Sequence, residues 1–277
     1  MKGRIIIGLI LILCFSSVKA SNDFKAVGAE ESALGNHSTT LVNIFSIYNN
    51  QGAAAFLPKA GIGVAYNSSY LPLGINDVTL AGAAPLKFGT IGGSVNYFGS
   101  NLHYEMKVGL AYAMKFGNRV GLGVQIDYLQ SKTKDLAGKH YATFEIGLLY
   151  KPIETVSIGA HIYNPVKWEV DETSGEMLPI VFNLGVQYAP IDPLKILAEL
   201  EKDIEQPFNF KMGISYEVTN GLFVRGGFNT NPTLFTFGLG YLLKDFLSID
   251  VASNYHLDLG FNTAISLSFA FKGKNEE

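Results

Sequence analysis

Ionisable side chains of both signs recur at alternate positions along several segments of this chain. Glu105 and Lys107 lead, followed by Asp127, Glu145, His161, Glu199, Lys211, Arg225 and Asp250, with Arg119 at the head of one segment. Carboxylates beside an imidazole are the raw material of general acid–base catalysis. A ring of one sign would instead make a selective pore. Here the signs are interleaved from one segment to the next, which suits ion pairing inside a packed space rather than a charged ring. His103, His140 and His256 match no metal-ligand spacing. No Ser–His–Asp set can be placed from the segment order, and no phosphate loop, zinc motif or dinucleotide fingerprint occurs. The reading is therefore non-catalytic, without metal or cofactor. A formal net charge of −3 also argues against a nucleic-acid partner, which would call for a basic patch.

The segments that carry these groups alternate strictly. In residues 103–116 the odd positions are His103, Glu105, Lys107, Gly109, Ala111, Ala113 and Lys115, whereas the even positions are all apolar. Residues 119–128 set Arg119, Gly121, Gly123, Gln125 and Asp127 against Val120, Leu122, Val124, Ile126 and Tyr128. Successive strand side chains point to opposite faces, so these are β-strands with one polar and one apolar face. Three features assign the apolar face to lipid. The strands are long enough to cross a bilayer at a tilt. The polar face is rich in glycine (Gly109, Gly121, Gly123, Gly147, Gly159, Gly185, Gly213, Gly260), as a crowded lumen would need and a water-facing sheet would not. Aromatic residues cluster at the ends of the apolar face, as interfacial girdles do.

About 14 such segments can be counted, an even number that lets an antiparallel sheet close. The connections test this. Alternate ones are short: "FGNR" (116–119), "KPIE" (151–154), "APIDP" (189–193), "VTNG" (218–221) and "LKDF" (243–246). The two longest, 131–140 and 164–179, fall on the other side. Short periplasmic turns opposite longer extracellular loops mark an outer-membrane barrel of the Gram-negative type. The motif Gly-x-x-Tyr precedes four of those short turns and, at 238–241, the fifth. It puts Tyr112, Tyr150, Tyr188, Tyr216 and Tyr241 in one periplasmic aromatic belt.

Composition agrees. Only 16% of residues are charged, and Gly, Tyr and Phe number 30, 14 and 19. The mean hydropathy is +0.20, yet past the first 20 residues no apolar run is long enough for a membrane helix. Residues 1–20 read as a secretory signal peptide: Lys2 and Arg4, an apolar run from Ile5 to Phe15, and Val18-Lys19-Ala20 before the cut. They hold the sole cysteine, Cys14, so the mature chain has no thiol or disulfide chemistry.

Residues 21–57 lack the alternation. The stretch 29–34 favours helix, and 42–48 is apolar without a period. A barrel of this size is wider than the ~8-strand kind that its own side chains fill. The segment is therefore expected to fold inside as a short, partly helical plug. The division predicted is 1–20 signal peptide, 21–57 plug, 58–272 barrel and 273–277 polar tail. The stretch "ALGNHSTTLVNIFSIYNNQGAAAFL" (33–57), with Asn49, Asn50, Gln51 and Gly52 as its second element, resembles the start of the PorV-like branch of the FadL outer-membrane barrel superfamily. It departs from that pattern in having Gly52-Ala53 where Ala-Gly is usual. The resemblance implies one of two roles. A PorV-like chain would be a partner-binding or scaffold subunit of an outer-membrane protein export or assembly system, with protein partners in the outer membrane or periplasm. A FadL-like chain would be a channel for uptake of small hydrophobic compounds. The first is the main expectation, because the barrel leaves no residues for an extended extracellular capture domain. Outer-membrane lipid is the other expected partner.

Overall fold

The computed structural model describes residues 25–69, 74–166, 169–171, 176–256 and 260–271. The predicted signal peptide, residues 21–24 of the predicted plug and the polar tail lie outside the described residues. The strands are β1 (Gly61–Ser69), β2 (Ile75–Leu86), β3 (Gly89–Gly99), β4 (His103–Phe116), β5 (Val120–Thr133), β6 (Lys139–Ile153) and β7 (Val156–Tyr163). After a small hairpin of β8 (Glu169–Asp171) and β9 (Glu176–Met177) come β10 (Val181–Ile191), β11 (Leu194–Asp203), β12 (Asn209–Thr219), β13 (Leu222–Thr230), β14 (Thr233–Leu243), β15 (Leu247–His256) and β16 (Gly260–Ala270). All but the hairpin form one closed antiparallel barrel of 14 strands, with each strand beside its chain neighbour and β1 sealing against β16. The β8–β9 hairpin was not foreseen; it rises from the longest connection and pairs only with itself.

Alternation along the chain becomes inside and outside of the wall. Leu110, Ile126, Leu184, Phe237 and Leu239 stand exposed on the outer face. So extensive an apolar surface is unlike that of a water-soluble sheet and matches the lipid-facing band of a transmembrane barrel. Asp127, Glu145, Lys211 and Asp250 are buried on the inner face. The register runs without a gap from β1 through β2, β3 and β4, and irregularities elsewhere fall at the short turns. At the β12–β13 turn, Gly221 adopts φ 78°, a conformation that favours glycine, and the Asn220-Gly221 pair supplies it.

The lumen is filled by residues 25–57. These make three short helices, α1 (Ala29–Ala33), α2 (Ser46–Asn49) and α3 (Gln51–Ala54), joined by coil. Helices this short are not stable alone. Their stability comes from the wall around them, which buries Leu34, Ile47, Ala53 and Ala54 completely.

Candidate functional site

The plug meets two different walls. Toward β1, β2 and β4 it is apolar: Ile44, Phe45, Ile47, Tyr48 and Ala54 pack on Ala65, Ala81, Ala83, Ala111 and Ala113. Elsewhere it is held by three buried polar clusters, which together contain nearly all of the predicted lumen residues.

In the first cluster, Glu145 on β6 ion-pairs with Lys107 on β4, and its Oε2 lies 2.8 Å from His161 Nε2 on β7. From the plug, Gln51 Nε2 donates to the same Oε2 at 2.9 Å. Lys107 Nζ also sits 3.8 Å above the ring of Tyr48, a cation–π contact that the buried setting strengthens. Asp127 lies beside these groups and accepts from Gln125 Nε2 at 2.8 Å.

In the second cluster, Lys211 Nζ donates to Glu199 Oε1 and Glu201 Oε2, both at 2.8 Å, and to the plug carbonyl of Asn36 at 3.1 Å. Glu199 Oε2 accepts three plug donors: Ser38 N–H at 3.0 Å, Thr39 N–H at 2.9 Å and the Thr39 hydroxyl at 2.7 Å. A carboxylate bound by this many donors is a strong anchor, because charge-assisted hydrogen bonds are about twice as strong as neutral ones. His37, fully buried beside Glu199, is pushed down to about 4 by burial, with Glu199 opposing, and is neutral near pH 7.

In the third cluster, Arg225 Nη1 donates to Asp250 at 2.6 Å, and its Nη2 reaches back to plug Glu30 at 3.1 Å. Burial would raise the Glu30 carboxyl, but Arg225, Lys195 and the Asn43 amide together outweigh it and hold the group below its ordinary range. Neighbouring Glu31 has no cation within ion-pairing distance among the described residues. Burial, and then the charge of Glu30, push its carboxyl up to about 8. It is held by Asn43 Nδ2 at 2.9 Å and Asn49 Nδ2 at 3.2 Å.

The predicted plug motif ties these parts together. Asn49 brackets Val27, accepting from its N–H at 2.9 Å and donating to its carbonyl at 2.8 Å. Asn50 caps α3 through Gly52 N–H and donates to the wall carbonyl of Leu148 at 3.0 Å. Gly52 lies against that wall so closely that a Cβ would stand 2.6 Å from the Leu148 Cα. The lumenal glycines have the matching role. A Cβ at Gly123 would meet Gln51, at Gly147 Asn50, at Gly159 and Gly185 Thr39, and at Gly213 Leu34. Gly260 is an exception: it lies at a strand end with φ 79° and open space around it.

Some placements differ from expectation. Arg119 is not in the lumen. It is an exposed turn residue whose carbonyl accepts from Lys151 N–H, because the strand starts one residue later, at Val120. Glu105 is inward but only half-buried near the outer rim, 3.5 Å from His103. The tyrosines of the belt all lie on the outer face near the short turns. Tyr150, Tyr188, Tyr216 and Tyr241 are exposed, and Tyr112 donates to the Phe88 carbonyl at 2.6 Å. Sequence reasoning missed Glu30, Glu31, His37, Ser38 and Thr39, which lie in a segment without periodicity and so carry no signal of facing direction.

No protein-family model matches the sequence, and no curated protein is significantly similar to it. Solved structures are similar in fold. A TodX monoaromatic hydrocarbon channel lacking S2 and S3 superposes with a TM-score of 0.72 at 12% identity, covering 90% of this chain and 100% of that one. The Ralstonia pickettii toluene transporter TbuX gives 0.70 at 12% identity, covering 90% and 99%. A Pseudomonas aeruginosa FadL homologue gives 0.64 at 13% identity, covering 89% and 98%. At these identities the likeness is one of fold: a closed antiparallel barrel.

Proposed function

We propose that this protein is an outer-membrane channel that takes up small, largely apolar compounds, held in a closed state by its plug. The observation that carries the reading is the shared architecture with hydrocarbon channels over about nine-tenths of the chain. The apolar side of the lumen supports it. There the wall is built from Gly82, Ala83, Ala84, Gly92 and Ala111, with Ile47 against its inner surface and an apolar groove of about 700 Å³ on its lipid side. The groove is walled by exposed Ile62, Leu110, Val124 and Ile126. A low-volume wall between plug and lipid is where a compound released from the plug would meet the bilayer with the least steric hindrance. The test is uptake of labelled toluene by intact Gram-negative cells that produce the protein. Faster uptake than in vector cells is expected, and equal rates would overturn the reading.

One observation favours a second reading, a PorV-like scaffold for protein export or assembly. The strand ladder is unbroken, and the plug is tied to the wall by the Arg225–Glu30 ion pair and by hydrogen bonds to Glu145 and Glu199. Stoichiometric copurification of protein partners in mild detergent, with no change in toluene uptake, would favour that role.

A further inference from the structure

Where the long connections gather, at the end of the barrel opposite the short turns, the lumen opens into a vestibule of about 340 Å³. That lies within the size range of small-molecule sites, roughly 300–1,000 Å³. Its walls differ from those of the apolar side. Asn36 from the plug, Asn209, Asn229, Asn254 and Asn262 from four strands, and the carboxylate of Glu201 converge on it. We propose that this vestibule recognises a neutral, hydroxyl-rich group, such as one sugar ring, carried by the compound that the barrel admits; the inference rests on the channel reading above.

Charge and hydrogen-bond capacity both point to this ligand class. The charged lining residues balance, with Lys25 and Lys211 against Glu201 and Asp203. Lys211 is already bound to two carboxylates, so it offers no free cation to an anionic ligand. Carboxamides carry a donor and an acceptor on one planar group. A hydroxyl, which also donates and accepts, satisfies them without net charge. The amides are also fixed in place. Asn231 N–H donates to Asn209 Oδ1 at 3.0 Å and to Asn229 Oδ1 at 3.2 Å. Asn209 Nδ2 is occupied by Glu201 at 3.1 Å. Asn229, only 2% exposed, keeps its amide NH₂ without a protein acceptor among the described residues. A plain hydrocarbon packed against it would leave the Asn229 NH₂ desolvated and unpaired, which is costly.

Saturation-transfer difference NMR on the whole protein in a zwitterionic, sugar-free detergent tests the assignment, with phenyl glucoside, benzoate and toluene as probes. The expected result is saturation of the sugar-ring protons of phenyl glucoside. Asn229→Leu and, independently, Asn262→Leu should each weaken it at least tenfold while the heat-dependent gel shift of the folded barrel is kept. Two independent variants guard against one that fails to fold. Binding of toluene or benzoate without phenyl glucoside would overturn the inference and leave the channel reading standing. Binding of none of the three would also overturn it, and toluene uptake by cells would then decide the channel reading separately. Glucoside binding that both folded variants retain would place the ligand elsewhere and equally refute the proposal.

Discussion

The two sides of the lumen hold the same plug by opposite means. Against β1–β4, alanines and glycines meet the side chains of Ile44, Phe45 and Ile47 through apolar contact. From β6 round to β15, buried carboxylates and cations reach plug atoms at named positions: Glu145 to Gln51, Glu199 to Ser38 and Thr39, Arg225 to Glu30. Apolar contact is non-directional and tolerates sliding, whereas a buried charge whose partner leaves is heavily penalised. The difference makes the polar side the latch, because its contacts are directional, whereas the apolar side contributes burial. The ion pairs within the wall, which are weak evidence for stability in general, hold Glu145, Glu199 and Arg225 where plug atoms reach them.

The comparison breaks most sharply at Glu145. Glu145→Ala removes the ion-pair partner of Lys107, the acceptor of Gln51 and the partner of His161, so a loss of about 3–5 kcal/mol is expected, as for other broken buried pairs. Chemical denaturation followed by plug-specific proteolysis would measure it; a cost below that of a core methyl deletion would remove the latch from the account. On the same strand, Leu148→Arg on the outer face should impair membrane insertion by about 2–4 kcal/mol if it lies at the midplane. Tyr150→Asp, at the interface, should cost little, and folding yields into vesicles give both numbers. Gly147→Val pushes a side chain into Asn50, and overpacking of this kind costs about 1–3 kcal/mol. Protease sensitivity of residues 25–57 should rise, while the barrel itself stays resistant.

Two plug groups make the latch pH-dependent in opposite directions. Glu31 has its seated pKa raised from 4.5 to about 8, so its contribution is fully present below 4.5 and is lost as pH rises to about 8. His37 is lowered from 6.5 to about 4, so its contribution is present above 6.5 and is lost as pH falls to about 4. Thermal melting of the plug from pH 4 to 9 should show both flanks, and Glu31→Gln should flatten the alkaline one alone. The smallest effect belongs to the apolar side. Ile47→Val should cost about 0.5–1.5 kcal/mol and leave plug position unchanged in hydrogen-exchange measurements.

Strict alternation made the barrel legible. In residues 103–116 and 119–128 each polar position proved lumenal and each apolar one lipid-facing, save at Arg119, where the turn runs one residue further. The inner charges were legible as paired for the same reason, but their plug partners were not. Thr39 and Glu30 sit in coil and in a single helical turn, where side-chain direction follows from the fit to the wall rather than from a period. The repeat Gly-x-x-Tyr was legible only in half. Its tyrosine marks the interface, as read. Its glycine, at Gly147, Gly185, Gly213 and Gly238, is also the seat of the plug. That second role depends on what lies across the lumen, which no local pattern encodes.

A latched plug that closes a barrel otherwise wide enough to conduct has a direct electrical signature. Planar-bilayer recordings of the protein and of a triple variant, Glu145→Ala with Glu199→Ala and Arg225→Ala, address it directly. The parent protein should be nearly silent and the variant should show long-lived, large openings. Equal conductance in the two, whether both silent or both open, would contradict a latched plug.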